Sequence, residues 1–525
     1  MKLWFATNQP LSNIPISLRS WLQRSADIIF YSSDIRENLT EWKRWVPVRK
    51  KSFYKGLMIG QPFLRSQLLA EEIIEMCKHE GHPDVFVIYH TDSYSYYLLQ
   101  NIRLLHPVIK GIPVILLVPR SCLTDASNPD YRLPQYWVGR TEKFCLAAAD
   151  YVVAMDDTVY QLVVRMRDHF NTALYQEESN DELLNSTINR VLFHHNQKHL
   201  YPEINQEPKR EKRKRVDFKR KKLSVIIPFY NLGIYLKDAV DSVRANEYSN
   251  YEIIIVNDGS DDPESVRILN MYRSGYEHIR VIDTPHRGLA NARNVGAYAA
   301  NGEYIAFLDA DDQIECNYYE WAIRVLEHYP NISFVYSWVQ YIDKRDDIWV
   351  TFNTEFPLLL LTNMLAAFPV IRKSEFINFG LNKVEMKSGM EDYESWISMC
   401  EAGCIGVALP APLVRYRIRS DSMSRNFNRE MVVSLYNHIC RLHPELFKKY
   451  GDEVVQLINS NGPGYMWNNP TVSYPALCYG SMGNSVKVSE SENDLKYELL
   501  RIMNSKLGRL LIKVLFKTKL NKVFK

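Results

Sequence analysis

Four apolar runs, each ending in polar residues, constrain the fold of this chain more than any other feature: "LSVIIPFYN" (223–231), "YEIIIVNDGSDD" (251–262), "IRVIDTPHRG" (279–288) and "EYIAFLDADDQIE" (303–315). They recur about every 25 to 30 residues, the length of a βαβ unit. Helical patterns stand between them, among them "LKDAVDSVRAN" (236–246) and "LANARNVGAYAANG" (289–302). Strands that are apolar throughout and separated by helices need cover on both faces, which predicts a parallel α/β sheet. Ligands of such sheets bind outside the carboxyl ends of the strands.

The first part of the chain repeats the pattern. "KLWFAT" (2–7), "ADIIFYSS" (26–33), "DVFVIYHTD" (84–92), "IPVILLVPR" (112–120) and "ADYVVAMDD" (149–157) are predicted strands, and "RSQLLAEEIIEMCKHEG" (65–81) is a predicted helix. At 525 residues and 46% hydrophobic content, the chain exceeds what one core usually supports. The expected fold class is α/β: a Rossmann-like domain over 1–198, a linker over 199–222, a second α/β domain over 223–430 and a mainly helical extension over 431–525.

Charge is nearly balanced, with 64 Lys+Arg against 61 Asp+Glu, so no global field selects nucleic acid as a partner. Local runs differ. "HLYPEINQEPKREKRKRVDFKRKK" (199–222) is too polar to fold alone and is expected to be a solvated tether, with lipid headgroup contact as the alternative. "RIMNSKLGRLLIKVLFKTKLNKVFK" (501–525) carries basic residues and no acid, with Ile502, Leu507, Leu510, Leu511, Val514, Leu515 and Phe516 able to share one helical face. That suits a helix lying on an anionic membrane surface, although a helix packed on the protein explains the stripe equally well. Scattered cysteines without paired CxxC spacing suggest ordinary thiols in a reducing cytosol. Neither a signal peptide nor a stretch of 18 apolar residues is found, so a cytoplasmic protein, peripheral at the inner face of a membrane, is expected.

The strand ends of the second domain carry the chemistry. The first delivers Pro228, Phe229, Tyr230 and Asn231; the second Asn257, Asp258, Gly259 and Ser260; the fourth Asp309, Ala310, Asp311 and Asp312. Singly, each is explained by a turn or a core contact. Jointly they suit one ligand: Tyr230 can stack on a base, Asp258 can accept from a ring N–H, and Asp309 with Asp311 can hold a hard cation. Asp312 is open between support of that pair and turn formation.

"VIIPFYN", "VNDGSDD", "RGLANARNVG", "GEYIAFLDADD" and the later "GMEDYESW" (389–396) resemble, in order and spacing, the family 2 glycosyltransferases of GT-A fold, over roughly 223–425. The resemblance implies that Asp309 and Asp311 form a DxD motif binding Mn²⁺ or Mg²⁺ at the diphosphate of a nucleotide-sugar donor. It places Pro228, Tyr230, Asp258, Arg293 and Asp309 in donor binding and makes Asp392 the catalytic base. Glu391, Trp396, Arg417 and Arg419 are then acceptor or accessory residues. One departure stands out: relatives carry a Tyr-Arg-x-His pattern whose His helps hold the metal or diphosphate, whereas this chain has "YRIRS", with Arg419 in that place.

Less specifically, "RTEKFCLAAADYVVAMDDTV" (140–159) and the strands before it resemble the N-terminal Rossmann half of family 4, GT-B-type glycosyltransferases. That implies an acceptor-binding or assembly domain, with His90, Asp92 and Arg120 as candidate ligand contacts. The resulting expectation is an inverting, metal-dependent transfer from a UDP-sugar to a hydroxyl of a glycan or lipid-linked acceptor, in cell-surface polysaccharide assembly. Two other classes compete: an inactive nucleotide-binding scaffold for another transferase, and a nucleotidyltransferase that would release pyrophosphate.

Overall fold

A computed structural model of the chain describes residues 1–31, 42, 44–48, 61–91, 93–119, 135–166, 171–175, 180–193, 201–202, 223–344, 346–419 and 428–461. The basic run 209–222, the tail 501–525, Asp92 and Arg120 lie outside the described residues. No described helix is long and apolar enough to cross a membrane.

The fold is α/β. Seven strands form the first sheet: β1 (Leu3–Thr7), β2 (Ile28–Tyr31), β3 (Trp45–Pro47), β4 (Val85–Tyr89), β5 (Val114–Val118), β6 (Tyr151–Ala154) and β7 (Thr172–Leu174). Their order is β3-β2-β1-β4-β5-β6-β7, every pair parallel. Helices α1 (Ile16–Ser25), α2 (Gln61–Glu80), α3 (Tyr96–Arg103), α4 (Gln135–Ala148), α5 (Asp157–Met166) and α6 (Asn180–Phe193) alternate with them. The five expected strands are all present. β3 and β7 escape a periodicity argument because each is a three-residue edge strand.

The second sheet comprises β8 (Leu223–Phe229), β9 (Tyr251–Asn257), β10 (Ile279–Asp283), β11 (Tyr304–Phe307), β12 (Gln313–Ile314), β13 (Phe334–Ile342), β14 (Ile348–Trp349), β15 (Val370–Arg372) and β16 (Gly406–Arg417). Its order is β10-β9-β8-β11-β15-β13-β16-β12, with β14 paired to β13. Strands β10, β9, β8 and β11 are mutually parallel. Beyond β11 the sheet is mixed, with β15 antiparallel to both neighbours. Helices α7 (Gly233–Arg244), α8 (Pro263–Gly275), α9 (Leu289–Ala299), α10 (Tyr318–His328), α11 (Lys373–Glu375), α12 (Glu391–Glu401), α13 (Arg429–Leu442) and α14 (Pro444–Asn461) accompany it, with a 3-10 turn at Leu358–Leu360 and a π-helical turn at Phe376–Gly380.

Two features fix the geometry around the site. All seven residues of β8 are buried, as a central strand covered on both faces requires. Helix α9 lies so close to that strand that a Cβ at Gly296 would stand 2.3 Å from Ile226 Cγ2, so only glycine permits the approach.

Both sheets lie within one compact unit, Met1–Leu477. The seam between them is aromatic: Trp321 Nε1 donates to Leu104 O (2.5 Å), Tyr329 OH donates to Arg103 O (2.6 Å), and Tyr97 meets Trp338 edge-on at 5.4 Å. These rings are buried, and the polar tips of Trp321 and Tyr329 cap carbonyls at the end of α3 that a helix leaves without intrahelical partners.

Candidate active site

Because β8, β9 and β11 run parallel and adjacent, their carboxyl ends open on one edge of the sheet, and β8 is the strand from which the order departs in both directions. Just past β8, Asn231 adopts a left-handed backbone (φ 52°) and ties the first two strand ends together. Its N–H donates to Ser260 Oγ (3.1 Å), its amide donates to Asp261 (2.6 Å), and its Oδ1 accepts from the N–H groups of Asp261 and Asp262 (3.0 Å each). Asp262 caps α8 by accepting from Ser265 N at 2.8 Å. These two aspartates therefore build the turn.

Asp258 is buried and organises the loop that leads into α9. Its carboxylate accepts from the N–H groups of Arg287 (2.9 Å) and Gly288 (2.8 Å) and from the Thr284 hydroxyl (3.3 Å). His286 Nδ1 lies 2.9 Å from its Oδ2, and the His286 ring stacks on Tyr230 at 4.2 Å and 26°. Tyr230 is 40% exposed, a half-open aromatic face at the strand end. Gly259 makes the arrangement possible: φ is 71°, and a Cβ there would come within 2.9 Å of His286 N.

The third strand end is a chain of ion pairs. Arg293, in the second turn of α9, donates Nη2 to Asp309 Oδ1 and Nη1 to Glu391 Oε1, both at 2.8 Å. Burial opposes its charge, but Asp309 and Glu391 outweigh that and hold it firmly as a cation. Arg419 Nε donates to Asp311 Oδ2 at 2.6 Å. Asp312 is buried and accepts from Arg417 N at 2.7 Å. Arg417 itself donates to Asp311 O, Asp343 and Asp238 (2.8, 2.9 and 3.1 Å) and lies over the Tyr235 ring.

Burial, reinforced by the charge of Asp309, pushes the Asp311 carboxyl up from the usual carboxylate range. Burial, reinforced by Asp311 and Asp309, pushes Asp312 well up. Asp309 Oδ2 and Asp311 Oδ1 take no hydrogen bond among the described residues. Two carboxylates, each with an oxygen left open, are hard donors of the kind that suit Mn²⁺ or Mg²⁺, ions commonly held by one or two carboxylates plus substrate phosphates. Among the described residues no group of three or more His, Cys, Asp or Glu side chains forms a fuller ligand set.

Helix α12 supplies the last carboxylates. Met390, with φ 61°, is its N-cap residue. Glu391 is buried and Asp392 is half-buried, with Asn363 Nδ2 at 3.4 Å from Asp392 Oδ2. Burial raises both carboxyls, and Arg293 opposes the rise in each.

Residues 224–387 match the family model described as "Glycosyl transferase family 2". This segment is a family 2 glycosyl transferase domain. An uncharacterized glycosyltransferase of Escherichia coli (strain K12), YibD, is 43% identical over 99 residues, covering 19% of this chain and 28% of that protein. An uncharacterized glycosyltransferase of Rickettsia bellii is 30% identical over 207 residues, covering 38% of this chain and 29% of that protein. The chain thus spans less than a third of the length of these curated relatives. The crystal structure of S. aureus TarS 1–349 in complex with UDP is 18% identical and covers 57% of this chain and 77% of that one, with a TM-score of 0.34.

Tyr230, Asp258, Asp309 and Asp311 of the matched segment, with Glu391, Asp392, Arg417 and Arg419 beyond its end, gather around the strand ends and the start of α12. Four expectations need correction. Arg293 does not face a donor phosphate: its side chain is 3% exposed and both Nη atoms are taken by carboxylates, which makes it an internal strut. Trp396 cannot touch an acceptor, because it is 1% exposed in the core against Phe334. Pro228 is buried within β8, opposite Val256, and offers no face to a ligand. In the first sheet, His90 is wholly buried, with Nε2 2.6 Å from Glu142 and Nδ1 2.7 Å from Ser95, so both ring nitrogens serve the interior.

Two residues were missed. His286 stands in "TPHRG", where Pro285 and Gly288 already mark a tight turn at a strand end. Asn363 sits between a 3-10 turn and β15 and has no local sequence signal for its contact with Asp392.

Proposed function

We propose that this chain transfers a sugar from a nucleoside diphosphate sugar, a UDP-sugar, to a hydroxyl of a glycan or lipid-linked acceptor, with inversion at the anomeric carbon. The observation that carries the reading is the Asp309–Arg293–Glu391 bridge. It ties the strand end suited to a diphosphate to the helix turn that carries Asp392, so leaving group and base are held in one rigid frame, as an in-line displacement demands.

Tyr230 offers its open face to the base, and the loop clamped by Asp258 borders that face. Asp309 and Asp311 would hold Mn²⁺ or Mg²⁺, which when bound supplies Lewis-acid stabilisation of the negative charge developing on the departing diphosphate. Asp392 accepts the proton of the acceptor hydroxyl as its oxygen bonds to the anomeric carbon. The bond from that carbon to the phosphate oxygen breaks with its electron pair on the diphosphate. Burial raises the basicity of Asp392, bringing its proton affinity nearer to what a general base needs at neutral pH. Glu391, committed to Arg293, positions the turn and takes no proton from the acceptor.

The deciding experiment is Asp392→Asn. The variant is expected to bind the UDP-sugar as the wild type does and to lose transfer by at least about 100-fold, the low end of a general-base contribution. Full transfer in that variant removes Asp392 as the base, and release of pyrophosphate from a nucleoside triphosphate by the wild type replaces the reading altogether. We further infer that the basic segments 209–222 and 501–525 hold the enzyme at an anionic membrane face where polysaccharide acceptors are assembled. Salt-sensitive cosedimentation with phosphatidylglycerol vesicles, and none with neutral phosphatidylcholine vesicles, is the expected outcome.

A further inference from the structure

We propose that His443, beyond the end of the matched segment, is a positioning residue for the transfer step: it clamps α12 from the side opposite Asp392 and so fixes how the base meets the acceptor. The inference rests on Asp392 as the base, as read above, and adds to it a residue of the helical extension.

His443 is the C-cap residue of α13 and is 3% exposed. Its Nδ1 lies 2.9 Å from Glu401 Oε2 and its Nε2 3.2 Å from Glu394 Oε1, so one ring joins two carboxylates of α12. Glu394 is wholly buried. Its Oε1 also accepts from the Ser398 hydroxyl at 2.7 Å, Lys383 Nζ stands 3.7 Å from the same oxygen, and Oε2 has no hydrogen-bond partner among the described residues. Beyond hydrogen-bond range and 35% exposed, Lys383 does not replace the ring. Only the imidazolium donates from both nitrogens, so two carboxylates favour the charged form. Burial opposes that charge, and Glu394 and Glu401 outweigh it, which raises the His443 pKa.

Helix geometry sets the direction of the clamp. At about 100° per residue, Glu394 and Glu401 stand roughly 200° and 180° around α12 from Asp392, on the opposite face. Glu391, about 100° the other way, is held by Arg293. The helix is therefore fastened on two faces while Asp392 points to Asn363, whose Nδ2 lies 3.4 Å from its carboxylate. Tyr393, next to Asp392, meets Tyr436 of α13 edge-on at 6.0 Å, so the same helix of the extension backs this turn as well. With the His443 fastening gone, α12 is free to roll about its axis. A carboxylate about 5–6 Å from the axis moves by about 1 Å for a roll of roughly 10°. A misplacement of that size costs about 100-fold in rate.

The test follows UDP release by the full-length chain from UDP-glucose, UDP-galactose and UDP-N-acetylglucosamine, with water as acceptor, between pH 6 and 9. Wild type, His443→Gln, Glu401→Gln and Asp392→Asn are compared well below the Tm of each, with circular dichroism showing that each is folded. His443→Gln is expected to lower kcat about tenfold to 100-fold near pH 6 and to leave KM for the donor unchanged, because the base meets the acceptor in the transition state and not in donor binding. The advantage of wild type should shrink as pH rises, since a neutral ring no longer donates to both carboxylates. Glu401→Gln, a milder change at the 16% exposed carboxylate, should show a smaller fall with the same pH trend, and it carries the test should His443→Gln not fold. Wild-type kcat in these variants at pH 6, while Asp392→Asn loses turnover, overturns the clamp and leaves the base reading standing. A deficit confined to KM, or equal at every pH, also overturns it, because a purely structural histidine would give that. Full turnover by Asp392→Asn removes the base, and the absence of UDP release by wild type from all three donors overturns the transfer reading; in either case the clamp falls with it.

Discussion

Replacing Arg293 by Met removes the guanidinium that joins Asp309 to Glu391 while keeping an unbranched side chain of similar reach. Breaking a buried ion pair by deleting one partner costs about 3–5 kcal/mol. The two arms are unequal: the Asp309 side chain is 27% exposed and water can replace much of its bond, whereas Glu391 is 5% exposed and has no such recourse. The loss should therefore fall near the low end, about 3 kcal/mol with Glu391 ionised. At the roughly 2–4 °C per kcal/mol of a domain of about 150–250 residues, and less for a larger unit, that is at most about 12 °C.

The pH dependence gives the prediction its discriminating power. Burial already raises Glu391, so it binds its proton more tightly in the folded state than in the unfolded chain. Such a group contributes stability below its unfolded pKa, and that contribution is lost as pH rises through the folded value. Deleting Arg293 raises the folded value further, so the deficit of Arg293→Met should be small at pH 6 and should grow with pH by up to about 1.4 kcal/mol per unit while Glu391 is being ionised. Thermal unfolding by circular dichroism between pH 6 and 9 reads this directly. A deficit that is flat or shrinks with rising pH would refute the bridge as the element joining strand end and helix.

Three further outcomes are expected. His443 is pressed down by burial but held up by Glu394 and Glu401 at 3.2 and 2.9 Å, with the net result that its pKa is raised. Stability from this contact is complete below the ordinary histidine value and fades as pH rises through the folded one, so His443→Gln should lower stability most at pH 6, by about 1.5–3 kcal/mol of lost charged bonding, and least at pH 9, as read by denaturant unfolding. Gly259→Ala puts a Cβ into left-handed backbone and against His286 N, so the Asp258 loop must shift; UDP affinity measured by calorimetry should fall about tenfold or more, and unchanged affinity would separate that loop from the nucleotide. Trp396→Ala should cost about 3–5 kcal/mol of stability, whereas Trp396→Phe should keep transfer activity, which an acceptor contact through the indole would not allow.

The sequence by itself determined the alternation of strand and helix, because periodicity and turn chemistry act within a few residues. The apolar runs at 225–229 and 253–256 required central parallel strands, and the polar residues at their carboxyl ends announced where a ligand would bind. Tyr230, Asp258, Asp309, Asp311 and Asp392 were legible because each stands at an element boundary. The tertiary structure alone decided which charge meets which. Arg293 and Glu391 are 98 residues apart, and Arg419 and Asp311 are 108 apart. Their pairing follows from how α9, α12 and the end of β16 pack around β11, which no local pattern encodes. Burial then reassigned a role: it turned Arg293 from an expected phosphate contact into a strut. It also put an arginine against the carboxylate that a metal would claim. A buried charge takes whatever opposite charge the fold brings within reach, because the cost of leaving it unpaired exceeds any preference its neighbours in sequence can express.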